Sequence, residues 1–177
     1  MGWATLALGL ALGGCAREGK RGVAIIVFDT TRADRLSCYG HPIMTSPHVD
    51  ALAAEGLRFL RAGTPAPATL PATASLLTGR WPRRHGARYN TGYTLSPEVP
   101  TLATILGEAG WRTGAFVSAA VLRSSTGLSR GFSVYDDQMS RNAQAGLHFA
   151  ERPGPETVGR ALQFLQGHPG EPFFLWV

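Results

Sequence analysis

Lysine is almost missing from this 177-residue chain: Lys20 is the only one, so the formal charge of +5 is carried by arginine. The arginines are scattered and no basic run exceeds two residues, as at Arg83-Arg84. Without a basic stripe interleaved with aromatics, nucleic acid is not an expected partner. Cysteine is scarce too, with only Cys15 and Cys38, which argues against a disulfide-stapled scaffold. Long apolar runs are also lacking. The longest, from Trp3 to Leu12, falls short of the ~20 residues that a membrane-spanning helix needs. No internal repeat or low-complexity segment appears. What remains is 44% hydrophobic and 16% charged, the composition of a globular chain with enough residues for one packed core.

The apolar start followed by Leu12-Gly13-Gly14-Cys15 reads as a signal peptide over residues 1–15. Its last four residues resemble the bacterial lipobox, which implies that Cys15 is lipidated and anchors an exported protein in the periplasm or cell envelope. A polar linker follows over 16–22. With Cys15 so used, only Cys38 remains and no intrachain disulfide is expected.

Beyond the linker the chain alternates strands and helices. Val23 to Phe28 is a continuous apolar run that predicts a strand buried on both faces of a parallel sheet, with Asp29 at its carboxyl end. In open α/β sheets ligands bind at that end. An Asp in this place also serves as a turn residue or helix cap. Ser46, Pro47 and Gly56 bound a short helix with Val49, Leu52 and Ala53 on one face. Leu57 to Ala62 reads as a short strand. Leu102, Ile105, Leu106 and Ala109 share a helical face, as do Val158, Ala161, Leu162 and Leu165 in a helix over 155–166. Strands are expected at 113–118 and 173–177. Residues 127–137 read as a loop whose adjacent Asp136 and Asp137 face water. Strand and helix in alternation predict a doubly wound α/β fold.

The densest stretch is Thr69 to Arg80, Thr-Leu-Pro-Ala-Thr-Ala-Ser-Leu-Leu-Thr-Gly-Arg. Pro71 suits the first position of a helix and Gly79 the left-handed residue past its end. Thr69 then stands at the mouth of a helix whose first N–H groups favour an anion. The spacing alone also fits Thr69 as a plain N-cap.

The segment resembles the signature of the sulfatases, in the alkaline phosphatase superfamily, written Cys-x-Pro-Ser-Arg-x-x-Leu-x-Thr-Gly-Arg. Pro71, Leu76, Thr78, Gly79 and Arg80 match. Thr69 stands where most sulfatases have the Cys that becomes formylglycine, and Thr73 where they have Arg. Upstream, Asp29-Thr30-Thr31-Arg32-Ala33-Asp34 to Tyr39-Gly40 resembles the first metal motif of the family, with Thr30 at a frequent second Asp. The run from Ser46 to Gly56 and the loop Trp81-Pro82-Arg83-Arg84-His85-Gly86 resemble family segments as well.

The resemblance implies an alkaline phosphatase-like fold, with a mostly parallel sheet and helices on both faces, of which residues 23–177 are the N-terminal part. It implies a hydrolase of sulfate or phosphate esters, acting on a small molecule or a glycan, with Thr69 as nucleophile and Asp29 and Thr69 as ligands of one divalent cation. Calcium or magnesium suits such oxygens, and zinc or manganese if a histidine joins. Thr73, Arg80 and His85 are expected in support. A phospho-group transferase of the same superfamily, or an inactive anchored binding fragment, stays open. One family-supported carboxylate within 177 residues predicts little turnover by this stretch alone.

Overall fold

A computed structural model of the chain describes residues 22–139 and 151–177. The expected signal peptide, the expected lipidation at Cys15 and all of the expected linker but Gly22 lie outside the described residues. Four strands, β1 (Gly22–Ile25), β2 (Arg112–Phe116), β3 (Val134–Asp136) and β4 (Phe173–Trp176), form one sheet in the order β1-β4-β2-β3 with every pair parallel. Five helices connect them: α1 (Pro47–Glu55), α2 (Thr69–Thr78), α3 (Pro82–His85), α4 (Leu102–Glu108) and α5 (Gly154–Gln166).

Side chains along a strand alternate between faces, and the two faces carry different helices. Ala115, Val117, Phe174 and Trp176 pack with Leu70, Ala74 and Leu77 of α2 and Ala103 of α4. On the opposite face Phe116 and Leu175 meet Ala161, Phe164 and Leu165 of α5. Burying each such large apolar side chain stabilises the fold by about 1.5–3 kcal/mol. The sheet is therefore covered by helices on both faces, as the alternation of elements predicts. Gly114 permits the close seat of α5, since a Cβ there would come within 2.8 Å of the Phe164 ring. α4 is capped by Thr101, whose Oγ1 accepts the Thr104 N–H at 3.1 Å and donates to the Arg130 carbonyl at 2.8 Å.

Several expectations are corrected. Among the described residues β1 is not buried on both faces: it is an edge strand paired only with β4, and Ile26 and Phe28 beyond it are 61% and 62% exposed. Leu57 to Ala62 forms no strand, because no strand lies beside it among the described residues; the Tyr39 hydroxyl donates to the Phe59 carbonyl instead. The 127–137 stretch contains β3, a strand of three residues and too short to show a period of two. Asp136 does not face water. Its carboxylate receives Arg152 at 2.6 Å and Arg160 at 2.8 Å, and the Arg152 side chain is fully buried. Burial alone would raise the Asp136 carboxyl, yet the two guanidinium groups hold it below the ordinary carboxylate range.

α1 buries none of its residues, and Leu52 is 71% exposed. Polar bonds hold it instead. Asp50 accepts from the Ser37 hydroxyl at 2.6 Å, the Ser46 hydroxyl at 2.9 Å and the Cys38 N–H at 2.8 Å. These bonds, the Ser37 one above all, keep the Asp50 carboxyl ionised to unusually low pH. In α5, Ala161 is buried and Leu165 packs against its cluster, while Val158 and Leu162 are half exposed.

Candidate active site

Three residues past β1 the chain turns sharply. Thr30 has φ +56°, the one non-glycine residue with positive φ among those described, and its N–H donates to Asp29 Oδ1 at 3.0 Å. A β-branched residue pays of order 1–2 kcal/mol for that conformation. The turn aims the Asp29 carboxylate across to the start of α2. There the Thr69 hydroxyl donates to it, at 3.1 Å from Oδ2 and 3.4 Å from Oδ1.

α2 begins at Thr69 itself, with Ala68 as N-cap, so Thr69 is the first helical residue and Pro71 the third. This differs from the expected start at Pro71. Gly79, at φ +64°, ends the helix as its sequence predicts. The N–H groups expected to serve an anion are largely used. Leu70 N–H donates to Asn90 Oδ1 at 2.9 Å, Pro71 has none, and Ala72 N–H bonds the Ala68 carbonyl at 3.1 Å.

A groove of about 660 Å³ opens on this pair and runs along α2 past Thr73 and Leu76 to Arg80 and Trp81. A second cavity of about 190 Å³, walled by Phe116, Ser118 and Thr157, meets it at Asp29, Thr69 and Thr73. Thr73 lies one helical turn beyond Thr69 and is buried. Arg80 is exposed past the far end of α2, roughly 15 Å along the axis from Thr69 at 1.5 Å per residue, so the fold does not bring it to the hydroxyl. His85 is fully buried and its Nε2 lies 2.9 Å from the Ser75 hydroxyl. Neither His41 nor His48 lines the groove at the pair, and His41 Nδ1 contacts the Ile43 carbonyl at 3.0 Å.

A carboxylate and a hydroxyl are hard oxygen donors of the kind calcium or magnesium accepts. They fill two positions of a shell that takes about six or more oxygens. Among the described residues no group of three or more His, Cys, Asp or Glu side chains gathers to complete one. No described helix is long and apolar enough to cross a membrane.

A doubly wound parallel sheet with a hydroxyl-carboxylate pair at its carboxyl edge defines a class of α/β protein in which a helix-borne hydroxyl faces a carboxylate in the turn after a strand. The chain belongs to the sulfatase family: the Sulfatase family model matches residues 21–177. It is 38% identical to human arylsulfatase A over 115 residues, which cover 62% of this chain and 22% of that protein. It is 31% identical to an N-acetylgalactosamine-6-O-sulfatase of Bacteroides thetaiotaomicron over 146 residues, covering 80% of the chain and 28% of the relative. The phosphonate monoester hydrolase of Agrobacterium radiobacter shares the fold, with a TM-score of 0.69 at 21% identity over 89% of this chain and 40% of that one. The chain thus spans about a quarter of the length of these curated relatives.

Two polar residues, one capping α2 and one holding α1, escape sequence reasoning. Asn90 caps α2 from a turn twenty residues downstream, and nothing local marks it. Asp50 stands inside a family-like run but reads as helix surface; its signal was the pair of hydroxyls, Ser37 and Ser46, flanking the turn that it closes.

Proposed function

We propose that the protein of which these residues form part hydrolyses sulfate esters, with Thr69 as nucleophile, and that a sulfated sugar is the substrate class. Family membership and the name of the Bacteroides relative support the ester class. The observation that carries the assignment within this chain is the Thr69 hydroxyl donating to Asp29 at 3.1 Å. Asp29 takes the Thr69 proton as Oγ attacks sulfur, the ester S–O bond breaks, and the alcohol leaves with a proton from water. Water then attacks the same sulfur and gives its proton to the hydroxide left from the first step, and Thr69 Oγ departs with the proton held on Asp29.

Asp29 and Thr69 would also hold a divalent cation, calcium or magnesium by their oxygen chemistry, which when bound supplies positive charge at the sulfuryl oxygens. Thr73, buried one turn beyond Thr69, floors the groove where the ester group docks. Export and anchoring through a lipidated Cys15 belong to the same reading, and the mass of the mature N-terminus tests them. The test of activity is release of sulfate from 4-nitrophenyl sulfate and from 6-O-sulfated N-acetylgalactosamine by the full-length gene product, with 4-nitrophenyl phosphate run beside them. Sulfate release that Thr69→Ala abolishes supports the reading. Release that survives Thr69→Ala, or phosphate release alone, overturns it.

A further inference from the structure

His85 sits on the four-residue α3 with a fully buried side chain, and both ring nitrogens are engaged. The Ala87 N–H points at Nδ1 at 3.2 Å, so Nδ1 must be the bare acceptor. The ring proton is then on Nε2 and is donated to Ser75 Oγ at 2.9 Å. Ser75 in turn donates to the Pro71 carbonyl at 2.9 Å, in the first turn of α2. The hydrogens thus run one way, from Ala87 through His85 and Ser75 to Pro71, and aligned bonds of this kind strengthen one another.

We propose that His85 is a positioning residue, fixed in its neutral Nε2–H form, that clamps the first turns of α2 through Ser75 and Pro71 and thereby sets where Thr69 stands. Its bearing on catalysis rests on the role proposed for Thr69, whereas the clamp itself does not. A second proton on Nδ1 would face the Ala87 N–H donor to donor, so acid opens the clamp. Desolvation holds the His85 imidazolium unfavourable and its titration below the ordinary histidine range. No charged side chain contributes to its ionisation from α2 or from the segment at Ser96, whose N–H bonds the His85 carbonyl at 2.8 Å. On its own helix Arg83 and Arg84 are exposed.

The experiment is nitrogen-15 NMR on the labelled full-length gene product, with amide hydrogen exchange at Ala74 to Leu77 from pH 8 to pH 5 and correction for intrinsic exchange. The expected result is the Nε2–H tautomer at pH 8 and exchange that quickens about fivefold below the histidine range, the loss of one net hydrogen bond of ~1 kcal/mol. His85→Gln keeps a donor near the Nε2 position and cannot titrate, so it retains the slow exchange at all pH values. An Nδ1–H tautomer, or an acid response undiminished in His85→Gln, overturns the proposal. Should that variant not fold, Ser75→Ala decides: about fivefold faster exchange at pH 8 is expected, and unchanged exchange refutes the clamp. None of these readouts requires turnover, so failure of the sulfatase reading is seen separately.

Discussion

Asn90 Oδ1 accepts the Leu70 N–H at 2.9 Å, so a side chain twenty residues downstream caps the helix that carries Thr69. Ala68 brings no side-chain oxygen to that task. Asn90→Ala therefore lowers stability by about 1 kcal/mol, seen as a fall of roughly 2–4 °C in Tm. Asn90→Asp retains the acceptor and leaves Tm nearly unchanged by calorimetry.

Asp29 and Thr69 together should bind a hard cation weakly. Calcium at ten times its Kd stabilises by about 1.4 kcal/mol, and this thermal shift vanishes in Asp29→Asn. A shift that persists in that variant places the ion elsewhere.

Thr30 holds a left-handed turn beside the carboxylate at φ +56°. Thr30→Gly removes the strain, less the extra chain entropy of glycine, for a net gain of about 0.5–1 kcal/mol. Thr30→Asp tolerates the same φ better than a β-branched residue and adds a second carboxylate. A second negative charge beside a dication is attractive, and the calcium affinity of this variant by titration calorimetry rises by about tenfold or more, ~1.4 kcal/mol.

The nucleophilic role proposed for Thr69 makes its hydroxyl the part that counts. Thr69→Ala lowers kcat of the full-length enzyme by about 10³ or more, while Thr69→Ser retains activity within about tenfold. Equal rates in wild type and Thr69→Ala would show that the hydroxyl is a bystander.

Asp136 compensates the buried Arg152 guanidinium. Asp136→Asn strands that charge and costs about 3–5 kcal/mol, measurable by urea unfolding. Because the native Asp136 carboxyl lies below its unfolded value near 3.8, its stabilisation is present above that pH and is lost as pH falls through the native value. Asp50 follows the same sign.

That Asp29 and Thr69 lie beside the ends of two elements was legible from an apolar run on one side and a Pro-to-Gly helix on the other, although β1 ends earlier, at Ile25, and α2 starts two residues before Pro71. The two helical layers were legible from their spacing. What stayed hidden depends on contacts between distant segments. The open state of β1 could not be read, since a continuous apolar run looks the same at a sheet's centre and at its edge. The three residues of β3 are too few for a period. Asn90 and the His85–Ser75 bond need the fold before either partner is known. Arg80 was expected in support as part of the motif, yet a ten-residue helix separates it from Thr69.

The two borders of the sheet differ in a way that governs how the protein can be handled. β3 is short and carries Asp136 among arginines, whereas β1 and its extension present Val23, Ile26, Val27 and Phe28 without a lysine or proline between them. Such a border recruits other strands. At high concentration this stretch of chain, prepared alone, will associate through it into β-rich aggregates that bind amyloid dyes, and storage conditions will be set by Ile26 and Phe28 rather than by the melting of the core.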